Sequence, residues 1–282
     1  MTMPVVEASG DARTVGRCLG EELREGIHQH LALNCVNRPR PDWPQRKGLF
    51  LEVVERDTPQ VLRQLEGMAE GADVELDRLL QLNLPAWEDD LHVRKEGCTN
   101  VAFREGPDGP ILGKNNDGIL REETRPPCAM KVRIDGRIPV LGFTFCGSVA
   151  LLDAMNEEGL CLGHSSVGSV FQQSDHHVPV RLWGYKGIGE CRTTAEFVRY
   201  MAGRPVRGKG FTTLCVDREG TICSLETPCP MVQVRRPEPG QADEVLGTDV
   251  RGEQRRADDE PADVATGQEI AGRGLAAEPF ER

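Results

Sequence analysis

The chain has 282 residues, a formal net charge of −11 and an isoelectric point near 5.2, and its length fits one large globular domain or two modest ones. The acidic balance argues against a nucleic-acid partner, because phosphate binding needs clustered Lys and Arg side chains. The first residues lack a basic region followed by an apolar run, and no window of about 18 apolar residues follows, which predicts a cytoplasmic protein without a membrane segment.

Residues 1–97 are predicted to be helical. Apolar residues recur at helical spacing in three stretches: DARTVGRCLGEELREGIHQHLALN, PQVLRQLEGMAEGA and VELDRLLQLNLPAWEDDL. Together these helices are expected to form one layer of the protein.

Residues 98–239 change to short runs of β-forming residues separated by turn signals. Four hairpins are predicted, around Pro107-Asp108-Gly109, Asp135-Gly136, Asn156 to Gly159, and Asp217 to Gly220. Between the third and fourth hairpins, VRLWGYKGIGE and TTAEFVRYMAG are predicted to be helices that cover a sheet face. Antiparallel hairpins with helices outside them predict an α+β fold.

Residues 240–282 differ from both preceding segments. They are acidic, contain one aromatic residue and show no hydrophobic period, a composition typical of disorder. A disordered tail is therefore predicted.

The ten cysteines include no C-x-x-C pair and accompany no secretion signal, so they are predicted to be reduced and mostly to pack as small apolar side chains. Cys98, in KEGCTNVAF, is different. A thiol can attack the carbonyl of the preceding residue, and Gly97 offers the least steric obstruction. Hydrolysis of the thioester would leave Cys98 with an α-amine that titrates near neutral pH and serves as base for its own thiol. Thr99 begins a predicted strand, which would hold this nucleophile on a rigid element.

The residues around Cys98 also carry a family resemblance. GCTNVAFREGPDGPILGKNND resembles the segment that opens the mature β-subunit of the acyl-coenzyme A:6-aminopenicillanate acyltransferase family, which are self-processing N-terminal-nucleophile hydrolases. Upstream, GMAEGA is similar to a G-x-A-x-G-A stretch of the family's α-subunit, and GDARTVGRCLGEELREGI resembles its N-terminal helix. The resemblance covers about residues 8 to 236.

This resemblance implies an αββα sandwich, with antiparallel sheets between helical layers, and self-cleavage between Gly97 and Cys98. Asn115-Asn116-Asp117 stands where the family has Asn-Trp-Asp, so Asp117 matches the carboxylate near the nucleophile and Asn116 replaces a tryptophan. Together with Thr99, the two asparagines are candidates for supporting roles.

The family's late asparagine, which holds the oxyanion, has no counterpart, because no asparagine follows Asn156. The fold is therefore expected to be incomplete at the C-terminus relative to the family, and turnover is expected to be weak.

The resemblance implies hydrolysis or acyl transfer on small amides or acyl-amino compounds through a Cys98 thioester. The α and β fragments are expected to stay associated after cleavage. No bound cofactor or metal is expected, although a coenzyme A thioester is a candidate acyl donor or acceptor.

Two alternatives stay open. A Cys-His hydrolase without self-processing would pair a thiol with His164, His176 or His177, although nothing in the local sequence indicates such a pair. A catalytically impaired or non-enzymatic member of the same fold is the other alternative. A metal site is not favoured, because neither H-E-x-x-H nor paired C-x-x-C spacing occurs.

Overall fold

The structure is a computed structural model that describes residues 3–33, 43–84, 98–116, 125–151, 153–166, 174–208 and 211–236. Two of the predicted site residues, Gly97 and Asp117, lie outside these ranges, and so does the predicted tail, residues 240–282.

Two of the described helices begin at side chains that cap the first turn. Asp11 accepts a hydrogen bond from the backbone nitrogen of Thr14 at 2.7 Å, and Thr193 accepts one from Glu196 at 3.2 Å. Among the described residues, no helix combines the length and apolar character needed to cross a membrane. The helices are α1 (Ala12–Glu22), α2 (Arg24–Leu33), α3 (Trp43–Asp57), α4 (Pro59–Ala72), α5 (Leu76–Asn83), α6 (Val180–Ile188) and α7 (Thr194–Ala202).

The described strands are β1 (Val5–Gly10), β2 (Cys98–Phe103), β3 (Ile111–Asn116), β4 (Pro127–Ile134), β5 (Val140–Phe145), β6 (Asp153–Asn156), β7 (Cys161–Ser166), β8 (Val178–Pro179), β9 (Val206–Arg207), β10 (Phe211–Val216), β11 (Ile222–Thr227) and β12 (Gln233–Arg235). Most of them belong to one sheet of eight, in the order β1-β4-β5-β6-β7-β10-β11-β12. β2 and β3 form a separate hairpin, and β8 and β9 form a short parallel pair.

The predicted α+β class is confirmed. All four predicted hairpins occur, as β2–β3, β4–β5, β6–β7 and β10–β11, and each is antiparallel. The two predicted helices between the third and fourth hairpins are α6 and α7. In the large sheet, the pairing of β1 with β4 is parallel and all other pairings are antiparallel.

The two faces of the large sheet have different neighbours. Met130, Val132 and Leu162 are buried in a core shared with the helices. On the opposite face the β2–β3 hairpin packs against β7 and β10, where Ala102 and Leu214 belong to a smaller core. The described residues thus supply three layers in the order helices, large sheet and hairpin, and a second helical layer is not among them.

Residues 1–97 were predicted to be helical, but Val5–Gly10 forms the edge strand β1. Only Val6 and Ala8 of this strand are buried, so its alternation of buried and exposed residues is too short to predict a strand. Pairing with β4, rather than local β-preference, determines its structure. α3 was likewise not predicted. The segment before Cys98 therefore contributes a strand to the sheet as well as helices.

α1 and α4 meet along four glycines, Gly16 and Gly20 of α1 and Gly67 and Gly71 of α4, which we call the glycine seam. A Cβ atom at any of the four would overlap a backbone carbonyl oxygen of the other helix. The contacts advance in the same direction along both helices, so the helices run parallel. Small residues spaced four positions apart on each helix allow the two helix backbones to approach this closely.

His30 of α2 joins the helical layer to the loop after β5. Its Nδ1 lies 2.5 Å from the carbonyl oxygen of Cys146, and the side chain is fully buried. Burial lowers the pKa of His30 from an ordinary 6.5 to about 4. Protons therefore bind His30 more readily in the unfolded chain than in the folded one. The contribution of neutral His30 to stability is fully present above pH 6.5 and is lost as the pH falls towards 4.

Replacing His30 with glutamine should weaken this pH dependence. Between pH 7.5 and 5, the free energy of unfolding should fall by about 2 kcal/mol more in the unmodified protein than in His30→Gln. Urea denaturation at both pH values measures the difference, and His176→Gln, at an exposed histidine, should behave like the unmodified protein. The same pH dependence in all three proteins would contradict the assignment.

Candidate active site

Polar residues from four strands, two of the large sheet and two of the β2–β3 hairpin, lie together at one end of the large sheet. Cys98 is the first residue of β2, and its partner in the hairpin register, Asn116, is the last residue of β3. Asp153 begins β6, and His164 lies near the end of β7. Nine cysteines lie in the described ranges and all are free thiols; six of them are buried, whereas Cys98 is partly exposed.

Contacts with β7 hold the start of β2 in place. The buried Asn100 donates a hydrogen bond to Ser165 Oγ at 2.7 Å, and Ser165 donates to the carbonyl oxygen of Cys98 at 3.3 Å. A Cβ atom at Gly163 would lie 2.8 Å from Asn100 Oδ1, so the absence of a side chain lets the hairpin lie directly on the sheet. The backbone of the thiol-bearing residue is therefore fixed to the large sheet.

A continuous series of contacts leads away from the thiol. Cys98 Sγ lies 3.9 Å from Asn116 Oδ1, and Asn116 Nδ2 donates to Asp153 Oδ2 at 3.2 Å. Asp153 Oδ1 accepts from the backbone nitrogen of His164 at 3.0 Å and lies 2.9 Å from its Nδ1. The thiol is thus connected through one amide to a carboxylate–imidazole pair.

The protonation of the pair follows from its surroundings. Both side chains are largely buried, with 14% of Asp153 and 13% of His164 exposed. Burial alone would raise the pKa of Asp153, but its hydrogen bonds from His164 outweigh this and hold the pKa below its ordinary value. Burial lowers the pKa of His164, and the hydrogen bond to Asp153 only partly offsets this effect. At neutral pH the pair is therefore a carboxylate and a neutral imidazole that donates from Nδ1.

The charge on Asp153 also fixes the orientation of Asn116. A carboxylate accepts hydrogen bonds and cannot donate them, so the Asn116 amide presents Nδ2 to Asp153 and leaves Oδ1 beside the thiol. In this orientation Asn116 accepts from the thiol. Asn116 Nδ2 carries two N–H groups, and its bond to Asp153 uses one of them.

The other supporting candidates have different positions. Thr99 and Asn115 are register partners in the hairpin, one residue along from Cys98 and Asn116. Because side chains alternate along a strand, those of Thr99 and Asn115 lie on the opposite face of the hairpin.

Asp153 was not predicted as a site residue, and nothing in the local sequence indicated that His164 pairs with a thiol. The register of the β6–β7 hairpin contained a signal for both residues, because the pairing Ala154↔Leu162 places Asp153 opposite the residue that precedes His164. Within the described ranges, no group of three or more His, Cys, Asp or Glu side chains is placed to hold a metal ion.

Comparisons with known proteins give partial similarities. No family model matches the chain, and no curated protein matches it significantly. Among solved structures, an N-acylethanolamine-hydrolyzing acid amidase ortholog from Caenorhabditis elegans is 13% identical with a TM-score of 0.43, over 54% of this chain and 69% of that one. Penicillin V acylase from Agrobacterium tumefaciens is 14% identical with a TM-score of 0.31, over 50% of this chain and 41% of that one. A variant of conjugated bile acid hydrolase from Clostridium perfringens is 12% identical with a TM-score of 0.28, over 52% and 44%. The chain is thus similar in part to an amidase, an acylase and a hydrolase, and it spans less than half the length of the last two.

Proposed function

We propose that the chain is a cysteine N-terminal-nucleophile amidohydrolase that acts on small amides or acyl-amino compounds. One observation carries the proposal: the Cys98 thiol, at the first residue of β2, contacts Asn116, which is hydrogen-bonded to the Asp153–His164 pair. A nucleophile at the end of a strand that is held against a sheet has the rigid support that catalysis needs. The sequence resemblance around Gly97 and Cys98 supports the same function.

In the proposed self-cleavage, the sulfur of Cys98 attacks the carbonyl carbon of Gly97, and the amide bond between the two residues breaks. Residues 1–97 become attached to sulfur as a thioester, while the nitrogen takes up a proton and becomes an α-amine. Water then hydrolyses the thioester, which regenerates the thiol and leaves a carboxylate on Gly97.

In the proposed turnover, the α-amine takes the thiol proton and the sulfur attacks the substrate carbonyl carbon. The substrate amine leaves with a proton, and the acyl group stays on sulfur as a thioester. Water releases the acyl group as an acid. Attack by another amine, or by a thiol such as that of coenzyme A, gives acyl transfer from the same intermediate.

The orientation of His164 by Asp153 favours a second candidate, a Cys-His hydrolase that does not cleave itself. Asp153 holds His164 through Nδ1, the arrangement in which a carboxylate orients an imidazole that acts as a base. In this alternative, Cys98 stays within an uncleaved chain and depends on His164. The two candidates share the nucleophile and differ in the base.

If self-cleavage occurs, the fragments 1–97 and 98–282 should remain together. β1 lies before the cleavage site and pairs with β4 after it, and Leu65 of the first fragment shares a core with Met130 of the second. We expect two bands on denaturing electrophoresis, with intact masses that place the break before Cys98, and one native gel-filtration peak that contains both. Separate native peaks would contradict the association. An uncleaved, active chain that loses activity in His164→Gln would replace the first candidate with the second.

A further inference from the structure

The Asn116 amide lies beside the place where negative charge develops in the proposed reaction. When the Cys98 sulfur attacks a carbonyl carbon, an electron pair of the carbon–oxygen double bond moves onto the oxygen, so the oxyanion is only two bonds away from Sγ. Asn116 Oδ1 lies 3.9 Å from Sγ, and Nδ2 is bonded to the same carbon as Oδ1. The amide N–H groups of Asn116 therefore lie in the region where the oxyanion forms.

One of these N–H groups has no acceptor in the described part of the chain. Nδ2 of Asn116 carries two N–H groups, and Asp153 Oδ2 accepts one of them at 3.2 Å. Asp153 is an ionised carboxylate that is itself held by His164, so the amide is oriented before any substrate binds. A donor that is oriented in advance needs no reorganisation during the reaction, which is the condition for strong stabilisation of an oxyanion.

The neighbouring side-chain groups are less suited to this role. His164 presents Nδ1 to a carboxylate, and its Nε2 carries no proton while the imidazole is neutral. Ser165 Oγ donates its proton to the carbonyl oxygen of Cys98, and Lys114 Nζ donates to a backbone carbonyl oxygen at 3.0 Å. The second N–H of Asn116 is thus a donor that is both oriented and unused.

We propose that Asn116 is a catalytic residue whose Nδ2 donates a hydrogen bond to the oxyanion that forms when Cys98 attacks the substrate. The inference rests on the proposed function of Cys98. It is specific to this chain, because the family that the sequence resembles has a tryptophan at this position. Asn116 is exposed and Cys98 is partly exposed, so a substrate carbonyl group can reach both.

The hydrogen bond acts in a step that begins and ends with a carbonyl group. The sulfur–carbon bond forms, the oxygen gains the electron pair, and Asn116 donates without giving up its proton. The carbonyl group then forms again, the carbon–nitrogen bond breaks, and the amine leaves with the proton that the α-amine had taken from the thiol. Because the full negative charge exists only during this step, the donor should raise kcat with little effect on KM.

Asn116→Leu tests the proposal, because leucine has a similar volume and no N–H group. With straight-chain acyl para-nitroanilides as substrates, kcat should fall about 100-fold while KM changes little. Asn116→Asp keeps an oxygen beside the thiol but has no N–H group, and it should lose at least as much activity. Gln29→Leu, at an exposed glutamine of α2, is the matched control and should keep full activity. Rates are compared between chains of the same cleavage state, which intact-mass measurement determines.

Two reactions of Cys98 separate the proposed role from an effect on the thiol or on folding. Alkylation by iodoacetamide forms no oxyanion, so its rate at Cys98 should be nearly the same in the unmodified protein and in Asn116→Leu. A straight-chain aldehyde adds to the thiol as a hemithioacetal, whose oxygen takes the place of the oxyanion. The resulting protection of Cys98 from alkylation should need about 10-fold more aldehyde in Asn116→Leu.

Three results would overturn the assignment of Asn116. They are full turnover in either Asn116 variant, equal protection by the aldehyde with and without Asn116, and a loss of alkylation rate that matches the loss of turnover, which would place the effect on the thiol. If the unmodified protein hydrolyses no amide while protection by the aldehyde depends on Asn116, the proposed function of Cys98 is contradicted and the role of Asn116 as a donor is supported.

Discussion

Replacing Cys98 with alanine is expected to leave a single uncleaved chain without amidase activity. The substitution removes the sulfur that would attack both the Gly97 carbonyl and the substrate, so activity should fall by at least about 1000-fold. Intact-mass measurement after long incubation detects cleavage, and release of amine from N-acyl amino acids measures turnover. Cys98→Ser should process slowly, because a hydroxyl is a weaker nucleophile than a thiol at neutral pH.

Cys18→Ala provides a matched control, because Cys18 is a partly exposed thiol on α1 whose Sγ lies 3.8 Å from the carbonyl oxygen of Glu7. This variant should cleave and turn over like the unmodified protein. Cleavage of Cys98→Ala at the same bond would exclude Cys98 as the attacking group. Activity that survives Cys98→Ala but is lost to a chelator would indicate metal-dependent chemistry instead.

Replacing Asp153 with asparagine is expected to have the second-largest effect, a loss of activity of about 100-fold with the fold retained. The carboxylate orients the Asn116 amide beside the thiol and holds Nδ1 of His164, and a neutral amide can do neither as firmly. Asp135→Asn, in the exposed β4–β5 turn, should keep full activity.

The pH profile separates the two candidates for the base. Asp153 raises the pKa of His164 against the effect of burial, so Asp153→Asn should lower that pKa further. If His164 is the base, the acidic limb of the activity profile should then shift to lower pH while the maximum rate falls. If the α-amine is the base, the maximum rate should fall with the limb unshifted, and an unchanged rate would remove the pair from the site.

The sequence predicted the hairpins well because their turns carry their own chemistry. The Asn156 to Gly159 turn is an example: Asn156 Oδ1 accepts from the backbone nitrogens of Glu158 and Leu160, and its Nδ2 donates to the carbonyl oxygens of Ile188 and Cys191. The bonds to Glu158 and Leu160 form between near neighbours and need no knowledge of the rest of the fold, whereas those to Ile188 and Cys191 add support from a distant part of the chain. β1 was missed because its partner, β4, lies more than a hundred residues away in the chain.

The candidate site was predictable in part for the same reason. Cys98 and Asn116 are visible in the sequence because they flank one hairpin, and their facing positions follow from its register. Asp153 and His164 flank another hairpin, and the contact between the two hairpins depends on how β2 packs on β7. That packing rests on Gly163 and on side chains that alternate along both strands, so it emerges only in three dimensions.

The glycine seam means that the size of a substitution is a poor guide to how well this protein tolerates it. Exchanging an exposed Arg or Glu on α1 for another polar residue changes many atoms but disturbs little, because such side chains can turn into solvent. Adding a single methyl group at Gly16 or Gly67 would place a carbon against a peptide oxygen, and no side-chain rotation can relieve that overlap. In the glycine seam, the smallest substitution, glycine to alanine, is therefore among the most damaging, since only a separation of the two helices could make room for the added methyl group.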